Sequence, residues 1–228
     1  YTYFDSLMPA AEKKRIMSFY KRCVQRHLYA HAGPEGGQHY LGKNPSASPK
    51  VDTLYEFFPD AKIIYVVRNP LDTIPSYISL LDYEWRLFGD PIEPFGGRDY
   101  VLEMARHWYT YPLERLEQAP PDQYTIVRFN DLVNDAEQTV MDIYDRFDLE
   151  LPLDYARMLE AEGKRARNYR SEHRYSLAAM GLERDQIIAE FADVFERFDF
   201  DPRYRADERG PTRSQRAAPK GKDRGEEQ

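Results

Sequence analysis

The chain has 228 residues, 42% of them hydrophobic and 14% aromatic, which fits one domain with enough apolar surface for a core. Its formal net charge of −7 argues against general nucleic-acid binding but leaves room for a local basic pocket. A single cysteine, Cys23, excludes an internal disulfide and points to a reducing, cytoplasmic setting, and no apolar run approaches the roughly 20 residues of a membrane span.

Ala10, Ile16, Phe19, Tyr20, Cys23, Val24 and Leu28 recur at three- and four-residue spacing, which predicts a helix over about 9–29. The glycines and proline of 33–37 break it. His39 to Gly42 reads as a short strand running into Lys43, Asn44 and Pro45, and 51–57 as a helix. The run Lys62 to Val67 is nearly all apolar and rich in β-branched residues, as expected of a strand buried on both faces of a parallel sheet. Asn69 and Pro70 then suit the cap and first turn of a helix that continues through Leu71, Ile74, Ile78 and Leu81. A Pro- and Gly-rich loop over 89–97 leads to a helix over 100–116, which Pro112 should kink or end. Tyr124 to Val127 is the second strong strand, 135–147 an amphipathic helix, and 153–161 a further helix. Residues 163–175 are basic and lack period, 182–198 read as one Phe-rich helix, and 203–228 as a disordered charged tail behind a domain of 1–202.

Strands alternating with helices predict a three-layer α/β fold with a mostly parallel central sheet, and in such sheets ligands bind at the carboxyl ends of the strands. Three strand ends are therefore of interest: Lys43, Arg68 and Arg128 follow or close them. Arg68 can fork two phosphate oxygens, and Ser76, eight positions later, stands on the second turn of the next helix, whose positive end favours an anion. The plainer reading pairs Arg68 with Asp72 and leaves Ser76 as a surface hydroxyl. Asp131 suits a helix cap or a partner for a neighbouring arginine.

The string Phe58 to Asp72, taken with Ser76, resembles the 3′-phosphate-binding segment of sulfotransferases that use 3′-phosphoadenosine 5′-phosphosulfate (PAPS). Leu41 to Pro45 is similar to the family's upstream strand ending in a lysine, and Ile126 to Leu132 to its third strand. His173 to Leu177, followed by Gly181 and Leu182, is similar to the C-terminal part of bacterial and Golgi-type members. The resemblance runs in order from about 41 to 198. It implies a P-loop-NTPase-like fold, with Arg68 and Ser76 on the 3′-phosphate of PAPS or of the product adenosine 3′,5′-bisphosphate. It implies Lys43 at the phosphosulfate bridge, and Arg170 and Arg174 in a basic loop that closes the phosphate clamp. Their plainer readings are a surface lysine and a solvated charged loop.

The Pro-Arg-Ser-Gly-Thr-Thr type of loop that cradles the 5′-phosphosulfate in that family has no match here. The chain opens at Tyr1 without a methionine, so the first strand and its loop are expected upstream, the domain being N-terminally truncated. The general base is open among His39, His107, His173 and Glu56, with His173 favoured because it lies in a family-like motif. No metal-ligand pattern occurs. The expected activity is sulfuryl transfer to a hydroxyl or amine of a small-molecule, glycan or lipid acceptor, and the many aromatics could serve a homo-oligomer interface. Two rivals stand beside it: a kinase-like phosphotransferase of the P-loop class, and a non-catalytic nucleotide- or partner-binding module of the same fold.

Overall fold

The computed structural model describes residues 1–31, 33, 39–89, 95–166 and 177–204. Two strands, β1 (Ile63–Val67) and β2 (Tyr124–Arg128), pair in parallel, with Ile63 opposite Tyr124 and Val67 opposite Arg128. Parallel neighbours need a crossover. Here it is made by two 19-residue helices, α4 (Pro70–Phe88) and α5 (Arg98–Leu116). Among the described residues three α-helices precede the sheet: α1 (Phe4–Leu7), α2 (Ala10–His31) and α3 (Val51–Phe57). Five more follow it there: α6 (Phe129–Asn134), α7 (Ala136–Arg146), α8 (Leu153–Ala166), α9 (Arg184–Glu190) and α10 (Ala192–Arg197).

The core lies where α4, α5, α9 and α10 meet β1. Val67, Ile74, Val101, Ile187 and Phe191 are almost wholly withdrawn from water there. Side chains of this size contribute about 1.5–3 kcal/mol each on full burial. Buried tyrosines stitch the layers through their hydroxyls, as the composition requires. Tyr65 of β1 donates to the Trp108 carbonyl of α5 at 2.8 Å, and Tyr109 of α5 donates to the Arg68 carbonyl at 2.6 Å. Burial pushes both phenols well above the ordinary tyrosine pKa.

The N-terminal segment is tied down by one carboxylate. Asp5 accepts the Asp52 and Thr53 amides at 2.9 and 3.4 Å, the Thr53 hydroxyl, and the Tyr111 hydroxyl at 2.8 Å. It thereby caps the amides at the start of α3 and joins α1, α3 and α5.

Five expectations need correction. Residues 39–44 form no strand, so the described sheet has two strands and not three. A four-residue extended segment persists as a strand only with a ladder partner, and here it has none. Strand β1 alternates in burial where burial on both faces was expected. Ile64 and Val66 remain 36% and 45% exposed while Val67 is buried. Helix α5 runs through Pro112 to Leu116 without a break, with Pro112 itself buried. Helix α8 continues to Ala166 through Gly163, where α7 passes so close that a Cβ would lie 3.1 Å from Glu137 Cβ.

The expected helix over 182–198 is two. It breaks at Phe191, whose φ of −114° and ψ of 23° drop the ring into the core, edge-on to Tyr109 at 5.6 Å. Of the basic segment 163–175, residues 163–166 belong to α8 and the rest lies outside the described residues, as does the tail beyond Tyr204.

Candidate functional site

The turn after β1 is the most tightly specified polar region of the described chain. Asn69 caps α4 by accepting the Leu71 amide on Oδ1 at 2.9 Å, and Pro70 occupies the first helical position, as the sequence predicts. The Asn69 carbonyl also takes the Asp72 and Thr73 amides, at 2.9 and 3.0 Å. Pro70 has no amide, so the first turn of α4 offers no spare backbone donor. The helix end supplies a field, partly offset by Asp72, and any bound anion must be held by side chains.

Those side chains share one face. Asn69, Asp72, Thr73 and Ser76 are spaced by three and four residues along α4, so their Cβ atoms stack on one side. Arg68, leaving β1 just before them, donates from Nε to Asp72 Oδ2 at 3.4 Å. The Phe129 ring, brought by the start of α6, lies 4.8 Å from the Arg68 guanidinium carbon, a cation–π contact. Backbone and side chain of Arg68 are therefore fixed from three sides: Tyr109 on its carbonyl, Asp72 on Nε, and Phe129 against the guanidinium. Its Nη groups make no hydrogen bond among the described residues, and the side chain is 33% exposed. A rigid guanidinium with a free fork and solvent access suits a phosphate or carboxylate oxygen pair. Arg68 pairs with Asp72, as the plainer reading has it, and its Nη groups stay uncommitted among the described residues.

The remaining predicted residues are distributed unevenly. Ser76 is half-buried on the Arg68 side of α4. Lys43 is exposed in the extended segment before the Asn44-capped turn Pro45–Lys50, and among the described residues it makes no hydrogen bond or ion pair. It follows no strand, contrary to expectation. His173, Arg170 and Arg174 lie outside the described residues. His39 and Glu56 are exposed. His107 stacks between Tyr3 and Tyr111 at 4.5 and 5.0 Å, and burial holds its pKa below the ordinary histidine value. Its Nε2 is buried and without a hydrogen bond. Asp131 accepts Arg128 Nε and Nη2 at 2.8 and 3.2 Å, orienting a neighbouring arginine as predicted. Asp135, not Asp131, is the side-chain cap of α7, accepting the Gln138 amide at 3.2 Å.

Sequence reasoning missed Tyr109, Phe129 and Tyr204 around Arg68. The Tyr204 hydroxyl donates to Asp72 at 3.1 and 3.2 Å across 132 positions. No local signal announces such contacts, because each is made by tertiary packing. Among the described residues no group of three or more metal-ligating side chains forms, and no helix is long and apolar enough to cross a membrane.

Comparison with known proteins bears on what this arrangement serves. A family model described as "Sulfotransferase family" matches residues 2–153. The curated omega-hydroxy-beta-dihydromenaquinone-9 sulfotransferases Stf3 of Mycobacterium bovis and Mycobacterium tuberculosis are each 28% identical to the chain over 164 residues, covering 70% of it and 40% of their own length. The chain thus spans about two fifths of these relatives. Among solved structures, sulfotransferase STF9 from Mycobacterium avium superposes with a TM-score of 0.58 at 20% identity, over 70% of this chain and 41% of that one. Sulfotransferase STF1 from Mycobacterium tuberculosis gives 0.52 at 25% identity, over 68% and 40%.

Proposed function

Because the chain belongs to the sulfotransferase family and carries its P-loop-NTPase-like α/β fold, we propose that it holds the 3′-phosphate subsite of an enzyme that transfers a sulfuryl group from PAPS to an acceptor. The observation that carries this reading is Arg68, fixed on three sides at the carboxyl end of β1 with its Nη fork free among the described residues. The donor set fits the group. A 3′-phosphate needs a cation and neutral hydrogen-bond donors, and Arg68 with Ser76 on the adjoining face of α4 supplies both types.

When bound, PAPS supplies the sulfuryl group and is left as adenosine 3′,5′-bisphosphate. The chain's own part is to bind, orient and balance charge. Arg68 and Ser76 anchor the nucleotide by its 3′-phosphate. Lys43 neutralises charge on the leaving phosphate, and its exposed, uncommitted segment leaves the ammonium able to swing. Arg170 and Arg174 complete the phosphate clamp, and His173 takes the acceptor proton. The domain, expected over 1–202, extends to Tyr204, since Arg203 bonds Asp201 and Tyr204 bonds Arg184 and Asp72, and the charged tail follows over 205–228. The curated relatives are named for an omega-hydroxy compound, which supports a hydroxyl as the acceptor group.

Calorimetric titration with adenosine 3′,5′-bisphosphate tests this in the full natural protein. Binding that Arg68→Ala weakens by roughly 100-fold or more, with the variant folded, is the expected result for loss of a forked, charge-assisted contact. No binding by the folded wild-type protein overturns the reading.

A further inference from the structure

The described C-terminal segment reaches back to the Arg68 turn and closes on Asp72. After α10 the chain turns through Phe198 and Phe200, both in the core, and Tyr204 then meets Asp72. The segment is anchored independently of that contact. Arg184, at the start of α9, donates from Nη2 to the Pro202 carbonyl and to the Tyr204 carbonyl, the latter at 2.6 Å. Arg203 folds onto Asp201 through its backbone amide at 2.8 Å and its Nε at 3.1 Å.

The consequence lies in how Asp72 treats Arg68. The Asp72 side chain is 6% exposed, so its charge is little screened by water and must be met by protein donors. Its Oδ2 takes Arg68 Nε at 3.4 Å and the Tyr204 hydroxyl at 3.1 Å, while Oδ1 takes the same hydroxyl at 3.2 Å. The phenol proton, shared between both oxygens, fixes the carboxylate plane and draws off part of its charge. Loss of that donor loosens the hold on the carboxylate and favours a closer engagement of Arg68 through Nε and one Nη, the way Asp131 engages Arg128. The carboxylate would then compete with a bound anion for the same N–H groups.

We propose that Tyr204 is a positioning residue for the 3′-phosphate subsite. It restrains Asp72 so that Asp72 engages Arg68 through Nε and leaves the Nη fork to the phosphate, with Arg184 holding the segment in place. This rests on the reading of Arg68 as the 3′-phosphate ligand.

The test compares two nucleotides that differ only in the 3′-phosphate, adenosine 3′,5′-bisphosphate and adenosine 5′-monophosphate, titrated into the full natural protein. Tyr204→Phe is expected to weaken the bisphosphate roughly five- to tenfold, on the scale of one hydrogen bond to a charged group, and to leave the monophosphate within about twofold. Arg184→Gln, which alters the hold on the Pro202 and Tyr204 carbonyls and leaves the Tyr204 hydroxyl in place, is expected to give the same selective loss at smaller size, and it carries the test if Tyr204→Phe does not fold. Equal losses for both nucleotides mean a merely structural tyrosine and overturn the proposal, as does unchanged bisphosphate affinity in a protein where Arg68→Ala abolishes it. Bisphosphate binding that survives Arg68→Ala instead removes the underlying subsite reading.

Discussion

The two strands of the parallel pair end in turns built alike, and the turns behave oppositely. Arg68 follows β1 and Arg128 closes β2, and each bonds an aspartate one turn into the next helix. The Arg128 pair is the closer, at 2.8 Å against 3.4 Å, yet it is half-exposed on both sides, and Asp131 takes one Nη group as well as Nε. The Arg68 pair sets its looser contact beside a nearly buried carboxylate, under a Phe129 ring and over a tyrosine hydroxyl, and keeps its fork free among the described residues. Proximity of opposite charges therefore does not single out the proposed phosphate subsite. What singles it out is a cation held on three sides with both Nη groups uncommitted among the described residues. The second turn even serves the first, because Phe129 follows Arg128 directly in sequence.

The sharpest way to break this contrast is to remove each arginine in turn. Arg68→Ala is expected to cost roughly 100-fold or more in bisphosphate affinity, and Arg128→Ala less than about threefold, by calorimetry. Comparable losses for both would erase the distinction between the turns. The caps give the next largest difference. Asn69 is buried and its side chain caps the Leu71 amide, so Asn69→Ala should lower unfolding free energy by about 1–2 kcal/mol, whereas Asn130, exposed within α6 and not its cap, should stay within about 0.5 kcal/mol on change to Ala in urea melts.

Phe129→Leu keeps apolar bulk and loses the ring face. Bisphosphate affinity should fall by a factor of about 2–5, the yield of one partly exposed cation–π contact. Asp131→Asn, breaking an exposed pair, should change stability by less than about 1 kcal/mol.

The smallest effect concerns pH and lies outside both turns. Burial lowers the His107 pKa in the folded state, so the unfolded chain binds the proton more readily. Stability should then be full above the unfolded value of about 6.5 and fall as pH drops toward the folded value. Thermal melts between pH 7.5 and 5 should show a decline that His107→Phe flattens; an identical slope in the variant would assign the decline to other groups.

Much of this was legible from sequence because it is local. The apolar β-branched run of 62–67, the Asn69–Pro70 start of α4, and the period of α7 are written in neighbouring residues, and so is the spacing that sets Ser76 on the Arg68 side of the helix. The misreadings share a cause in turn. Residues 39–44 have strand-like composition and no ladder partner among the described residues, Gly163 opens a segment read as without period and is a point of close helix contact, and Phe191 fits a continuous helical stripe yet ends one helix and begins another. In each case the outcome depends on a surface that the local sequence does not contain.

By itself, then, the sequence determined the layered α/β alternation, the family resemblance and the placing of Arg68 at a strand end, since backbone geometry and side-chain period act over a few residues. Tertiary structure alone decided which arginine keeps both Nη groups uncommitted among the described residues. Tyr109, Phe129 and Tyr204 come to Arg68 and Asp72 from distant parts of the chain, and only packing, which brings such residues together while excluding water, can set the charge and orientation of the site.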